Sequence, residues 1–213
     1  ENAEFCTVFG SGISAVTAII SSLKSGDKIL CESNLYGCTI RMFEKVFEKF
    51  GIQTYYYDFA KKESLHRIKE IKPALIWIES PTNPLLKVLN LKDICCVAKS
   101  NDIPVVVDNT FCTAIIQNPL ELGATLSLIS TTKFINGHSD VLGGAVLTNS
   151  KDWDRKMIFA QKSLGLNPSP FDCWLITRGL KTLPLRIDQQ TRNAKLISQE
   201  IESHKLIEAL VYP

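Results

Sequence analysis

The sequence predicts an α/β domain, and three observations carry that expectation. Apolar periodicity switches back and forth between helical and extended spacing along the chain. The apolar run Val105-Val106-Val107 ends on Asp108, as strands do where their carboxyl ends face a ligand crevice. The 213 residues are 45% hydrophobic, enough for one continuous core and one large domain.

Taken in order, residues 1–7 lead directly into a helix over 13–23, closed by the turn Ser25-Gly26-Asp27. Residues 28–31 read as a short strand, and 39–50 as a helix with Phe43, Phe47 and Phe50 on one face and Gly51 as its C-cap. A strand over 53–57, a helix over 62–71 and a buried strand over 74–78 follow. A helix over 91–101 precedes the strand 104–108, and further strands fall at 125–130 and 144–147. The pattern then turns helical, at 152–164, 171–180 and 185–204, before an extended run over 206–213 with nothing to cover it. No repeat or low-complexity linker interrupts this order. The chain lacks an initiator methionine and ends on that uncovered run, so both ends read as cuts in a longer protein.

Composition narrows the partners. Basic residues number 24 and acidic ones 22, so no strongly charged field calls for nucleic acid or an anionic membrane, and a small-molecule substrate fits better. The seven cysteines form no C-x-x-C pair and the three histidines stand apart from them, which predicts no metal site and reduced thiols in a cytoplasmic protein. No apolar run reaches the length of a membrane span.

Gly10-Ser11-Gly12-Ile13 sits where an extended segment enters the first helix. Glycine lets backbone approach a phosphate, and a helix N-terminus supplies free amides and a favourable dipole. A G-x-G turn alone also suits an ordinary helix entry, and the full G-x-G-x-x-G fingerprint fails here. Ser130-Thr131-Thr132-Lys133 follows a buried strand and places hydroxyls and an amine at the ligand edge of the sheet. Asp108 ends a second strand with Thr110 just beyond it, and Asn83 lies in the proline-bounded loop after a third. A phosphate cradle, an amine, a carboxylate and an amide on neighbouring strand ends are the parts of a pyridoxal 5'-phosphate (PLP) site.

The strings SPTNP (80–84), VVVDNTF (105–111), STTKFINGHSD (130–140) and RGLKTLPLR (178–186) resemble those of the Cys/Met-metabolism PLP enzymes, in order and along essentially the whole chain. That resemblance implies fold-type I: a three-layer domain like the large domain of aspartate aminotransferase, with a mostly parallel sheet and helices on both faces. It implies that residues 1–213 are the PLP-binding large domain, without the family's N-terminal arm and C-terminal domain. Lys133 would carry the cofactor as a Schiff base and act as the proton-transfer base, Asp108 would pair with the pyridine nitrogen, and Tyr36 would stack on the ring and protonate a departing thiolate. The amides of Gly12 and Ile13 and the hydroxyls of Ser130 and Thr132 would hold the phosphate, while Asn83 and Thr110 support the ring.

Most members have Y-G-G-T where this chain has Tyr36-Gly37-Cys38-Thr39, and a cysteine there resembles methionine γ-lyase. The expected activity is therefore γ-elimination of methionine, with Cys38 near the substrate. The alternatives are cystathionine γ- or β-lyase, cystathionine γ-synthase, O-acetylhomoserine sulfhydrylase, or a non-catalytic interaction subunit. The resemblance further implies a homodimer within a homotetramer, whose N-terminal arm brings an arginine to the neighbouring phosphate. Arg178 is expected in a structural ion pair, His138 in a structural turn, and His66 and His204 at solvated helix positions.

Overall fold

The computed structural model describes residues 1–213. Its seven strands are β1 (Phe5–Phe9), β2 (Lys28–Glu32), β3 (Gln53–Tyr57), β4 (Leu75–Glu79), β5 (Val105–Asp108), β6 (Leu126–Ile129) and β7 (Gly144–Thr148). They form one sheet in the order β1-β7-β6-β5-β4-β2-β3. The five strands from β6 to β3 run parallel, and β7 is antiparallel to both of its neighbours. The helices are α1 (Gly12–Ile20), α2 (Gly37–Lys45), α3 (Ser64–Ile71), α4 (Leu91–Lys99), α5 (Thr113–Ile116), α6 (Lys151–Ser163), α7 (Pro170–Leu180) and α8 (Leu183–Glu202).

Three layers follow from the two-residue period of a strand. In β4 every residue is buried; Leu75 and Trp77 join the core that holds α1, α2 and α6, whereas Ile76 and Ile78 join the core that holds α3 and α4. Trp77 meets the Phe43 ring edge-on at 5.3 Å on the first side. A smaller cluster of Ile129, Ile135, Leu183 and Ile187 ties the start of α8 to the turn that follows β6. Hydroxyl and amide side chains start the helices where the sequence changes period: Ser11 caps α1, Asn90 caps α4 and Ser150 caps α6.

Several expectations are corrected. The chain does not pass directly from residue 7 into a helix, because β1 pairs with β7 first. The helix expected over 39–50 breaks at Val46, and a 3-10 turn covers Phe47–Phe50. The break rotates the aromatic residues apart: Phe43 is buried and Phe50 is 65% exposed. The short helix α5 lies in a stretch where no helical period is legible. Residues 206–213 form no strand, since the run pairs with no strand of the sheet, and Leu206 is 78% exposed. Arg178 makes no ion pair; its guanidinium lies over the Trp174 ring, 5.2 Å from the centroid. His204 lies just past the end of α8, exposed, and His66 is exposed on α3.

Candidate active site

Because β2, β4, β5 and β6 are parallel, their last residues and the loops after them open on one edge of the sheet. A cleft of about 1190 Å³ lies there, and Gly12, Ile13, Tyr36, Asn83, Asp108, Thr110, Ser130, Thr132 and Lys133 all line it. Cys38 is not among the lining residues.

Gly12 is the first residue of α1 and packs against the exit of β6. A Cβ on Gly12 would lie 2.9 Å from Ser130 Cβ and 3.0 Å from its Oγ, so a side chain there would push the helix end off the strand. The first-turn amides of α1 thus sit beside the Ser130 hydroxyl, which has no partner within the chain. Thr132 differs: its hydroxyl donates to Gly143 O at 3.1 Å and accepts from Gly143 N at 3.0 Å.

Asp108 is fixed by Thr110. Its Oδ1 accepts from the Thr110 amide at 3.0 Å and from the Thr110 hydroxyl at 2.6 Å, and that hydroxyl accepts in turn from Ser130 N at 2.9 Å. Burial raises the Asp108 pKa, and the two Thr110 donors offset part of that rise.

Sequence reasoning missed Glu79. It ends β4 as Asp108 ends β5, and the two stand opposite each other in the strand register. Its Oε2 accepts from Tyr36 N at 2.8 Å, which holds the start of α2 to the sheet edge. Burial first, then the Asp108 charge, push the Glu79 carboxyl up to about 8, against the pull of the Tyr36 and Asn83 amides. Neither carboxylate forms an ion pair. The signal was available, since the rule that picks out Asp108 at a strand exit applies equally to Glu79.

Tyr36 stands at the start of α2, 40% exposed. The neighbouring Cys38 thiol, then desolvation, raise its pKa, so the phenol stays protonated at neutral pH. His138 sits in its turn as expected, with Nδ1 2.7 Å from Asn136 O.

Fold and cleft define an α/β protein whose ligand site offers an amine, neutral anion donors and a buried carboxylate pair without a cation. That donor set suits a ligand with a carbonyl for the amine, a phosphate for the helix end and a basic ring nitrogen for the carboxylates, and PLP has all three. The family described as Cys/Met metabolism PLP-dependent enzyme matches residues 1–213, and the chain belongs to that family. Its cofactor is therefore PLP.

The chain is 42% identical over 213 residues to a probable cystathionine gamma-synthase of Herpetosiphon aurantiacus, covering all of this chain and 67% of that one. It is 42% identical over 214 residues to the cystathionine gamma-lyase of Rattus norvegicus, covering all of this chain and 54% of the relative. Apo CalE6, a methionine gamma lyase from Micromonospora echinospora, superposes with a TM-score of 0.96 at 36% identity over 100% of this chain and 58% of its own. The chain thus spans between about half and two thirds of the length of these relatives. No helix is long and apolar enough to cross a membrane.

Proposed function

We propose that the protein cleaves the Cγ–S bond of a sulfur amino acid with consumption of one water, releasing a thiol, ammonia and 2-oxobutyrate, with cystathionine as its first substrate. The observation that carries this reading is the convergence of Lys133, Tyr36 and Asp108 on one cleft. When bound, the cofactor supplies an aldehyde for amino groups and a ring that accepts the electron pair left at Cα. Lys133 Nζ would hold that aldehyde until substrate displaces it, would take the proton from Cα and pass it on to the cofactor, and, a free amine again, would take the next proton from Cβ. Tyr36, protonated beside Cys38, donates to the departing sulfur. Asp108, locked by Thr110, would pair with the ring nitrogen. Gly12, Ile13 and Ser130 would hold the phosphate, and Thr132 would join them by turning its proton away from Gly143 O. Asn83 and Thr110 support the ring.

Relatives named for cystathionine support that substrate. Methionine is the second reading, supported by Cys38 beside the Tyr36 phenol, the group proposed to protonate the leaving sulfur. Four carboxylates, Glu79, Asp108, Asp140 and Asp172, line the cleft against one base, Lys133. A phosphate near two negative charges needs a further cation, and we place it on a second copy of the chain in a homodimer.

The test is to purify the full-length protein with PLP and compare kcat/KM for cystathionine, methionine, and O-acetylhomoserine with a thiol. Release of 2-oxobutyrate fastest from cystathionine is the expected result. Replacement products without 2-oxobutyrate would make the protein a synthase, and no turnover of any of the three would refute the reading.

A further inference from the structure

Arg186 belongs to α8, yet its side chain ends on the turn that carries Lys133. Nη1 donates to Phe134 O at 2.7 Å and Nη2 to Ile135 O at 3.1 Å, the two carbonyls directly after the lysine. Nη2 also donates to Gly179 O at 2.8 Å, close to the end of α7, and Nε to Thr182 Oγ1 at 3.0 Å, between the two helices. One guanidinium therefore joins the lysine's turn to both helices.

The surroundings are shaped for this fork. Gly137 has φ +76, a backbone region that disfavours side chains, and a Cβ there would overlap the guanidinium. Arg186 takes part in none of the ion pairs, so the Gly179 carbonyl at the negative end of α7 and the two turn carbonyls meet its charge instead. Ile135 packs on Leu183 and Ile187 from the same helix, so α8 grips the turn by apolar contact as well.

Lys133 itself is held only through its backbone. Its amide donates to Ser130 O at 3.2 Å and its carbonyl accepts from Gly137 N at 2.8 Å, while Nζ has no partner in the chain. The direction in which the amine enters the cleft therefore follows from the conformation of the 130–137 turn.

We propose that Arg186 is a positioning residue for Lys133, whose fork across the Phe134 and Ile135 carbonyls fixes the turn so that the amine stays presented to the cleft. The inference rests on Lys133 being the residue that joins the cofactor. Lysine cannot replace the fork, because a single ammonium does not span two carbonyls in fixed planar geometry.

Two ligands separate positioning from a general loss of structure. PLP needs both the anion cradle and the amine, whereas pyridoxine 5'-phosphate lacks the aldehyde and uses the cradle alone. The experiment takes the full-length apoprotein and its Arg186→Lys and Thr182→Val variants. It measures the rate of covalent capture of PLP, trapped by borohydride, and the Kd for pyridoxine 5'-phosphate. Arg186→Lys should slow capture by about tenfold or more, with the pyridoxine 5'-phosphate Kd within about twofold. Thr182→Val removes the Nε acceptor and the hydroxyl's own bond to Gly179 O while leaving both Nη bonds to the turn, and should slow capture less, in the same direction. Equal loss toward both ligands, or unchanged capture, would overturn the inference. If Arg186→Lys does not fold, Thr182→Val alone decides, and unchanged capture there overturns it. An adduct on another lysine in the unsubstituted protein would instead sink the assignment of Lys133, and this inference with it.

Discussion

Glu79→Gln removes a charge from the sheet edge while keeping an oxygen for the Tyr36 amide. In the folded apoprotein, burial and the Asp108 charge push the Glu79 carboxyl from 4.5 up to about 8. The folded state therefore binds the extra proton between these values and the unfolded chain does not. This group's contribution to stability is full below pH 4.5 and is lost as the pH rises through about 8. A tenfold change in proton affinity is worth about 1.4 kcal/mol, so the loss has a ceiling of about 5 kcal/mol. Glu79 and Asp108 titrate as a pair, so the loss belongs to the pair and not to Glu79 alone. Urea unfolding of the apoprotein across this pH window measures the effect. The unsubstituted protein should lose stability toward the alkaline end, while Glu79→Gln should show a shallower slope and be more stable there. Parallel pH slopes for the two proteins would refute the argument, because they would place the titrating proton on another group. Loading with PLP should flatten the slope of the unsubstituted protein, since a cationic ring nitrogen offsets the paired carboxylates.

Three further substitutions probe the cleft. Lys133→Ala should abolish borohydride-stable attachment of PLP while leaving pyridoxine 5'-phosphate affinity nearly unchanged, as read by mass spectrometry and a binding titration. Asp108→Asn retains an oxygen for both Thr110 donors, so its unfolding midpoint should change little while kcat falls by about a hundredfold or more. Near-normal turnover would remove Asp108 from the ring nitrogen. Cys38→Gly should change the ratio of kcat/KM for methionine against cystathionine if the thiol adjoins the leaving sulfur, and equal loss on both substrates would make it a packing residue.

Residues at strand exits are legible because a parallel sheet delivers the last residue of each strand to one edge, whatever its neighbours are. Asp108, Ser130 and Lys133 need only the position of a strand end to be found, and the cleft lines up with them. Glu79 obeys the same rule but stands beside Ser80-Pro81, where turn residues draw attention to the loop and away from the strand it ends. Residues delivered by helices are less legible, because their side chains go where the packing angle sends them. Cys38 shows this: one residue past the start of α2, it faces the Tyr36 phenol and not the cleft wall, so spacing alone does not place it against substrate. The string RGLKTLPLR holds both outcomes, with Arg178 stacked on Trp174 and Arg186 reaching the turn that carries Lys133. Arg186 and Phe134 lie 52 residues apart and meet only because α8 docks its apolar side on Ile135. The class of chemistry is thus carried by the residues at strand ends, which periodicity locates. The placement of the turn that holds Lys133 is carried by how α8 docks beside that sheet.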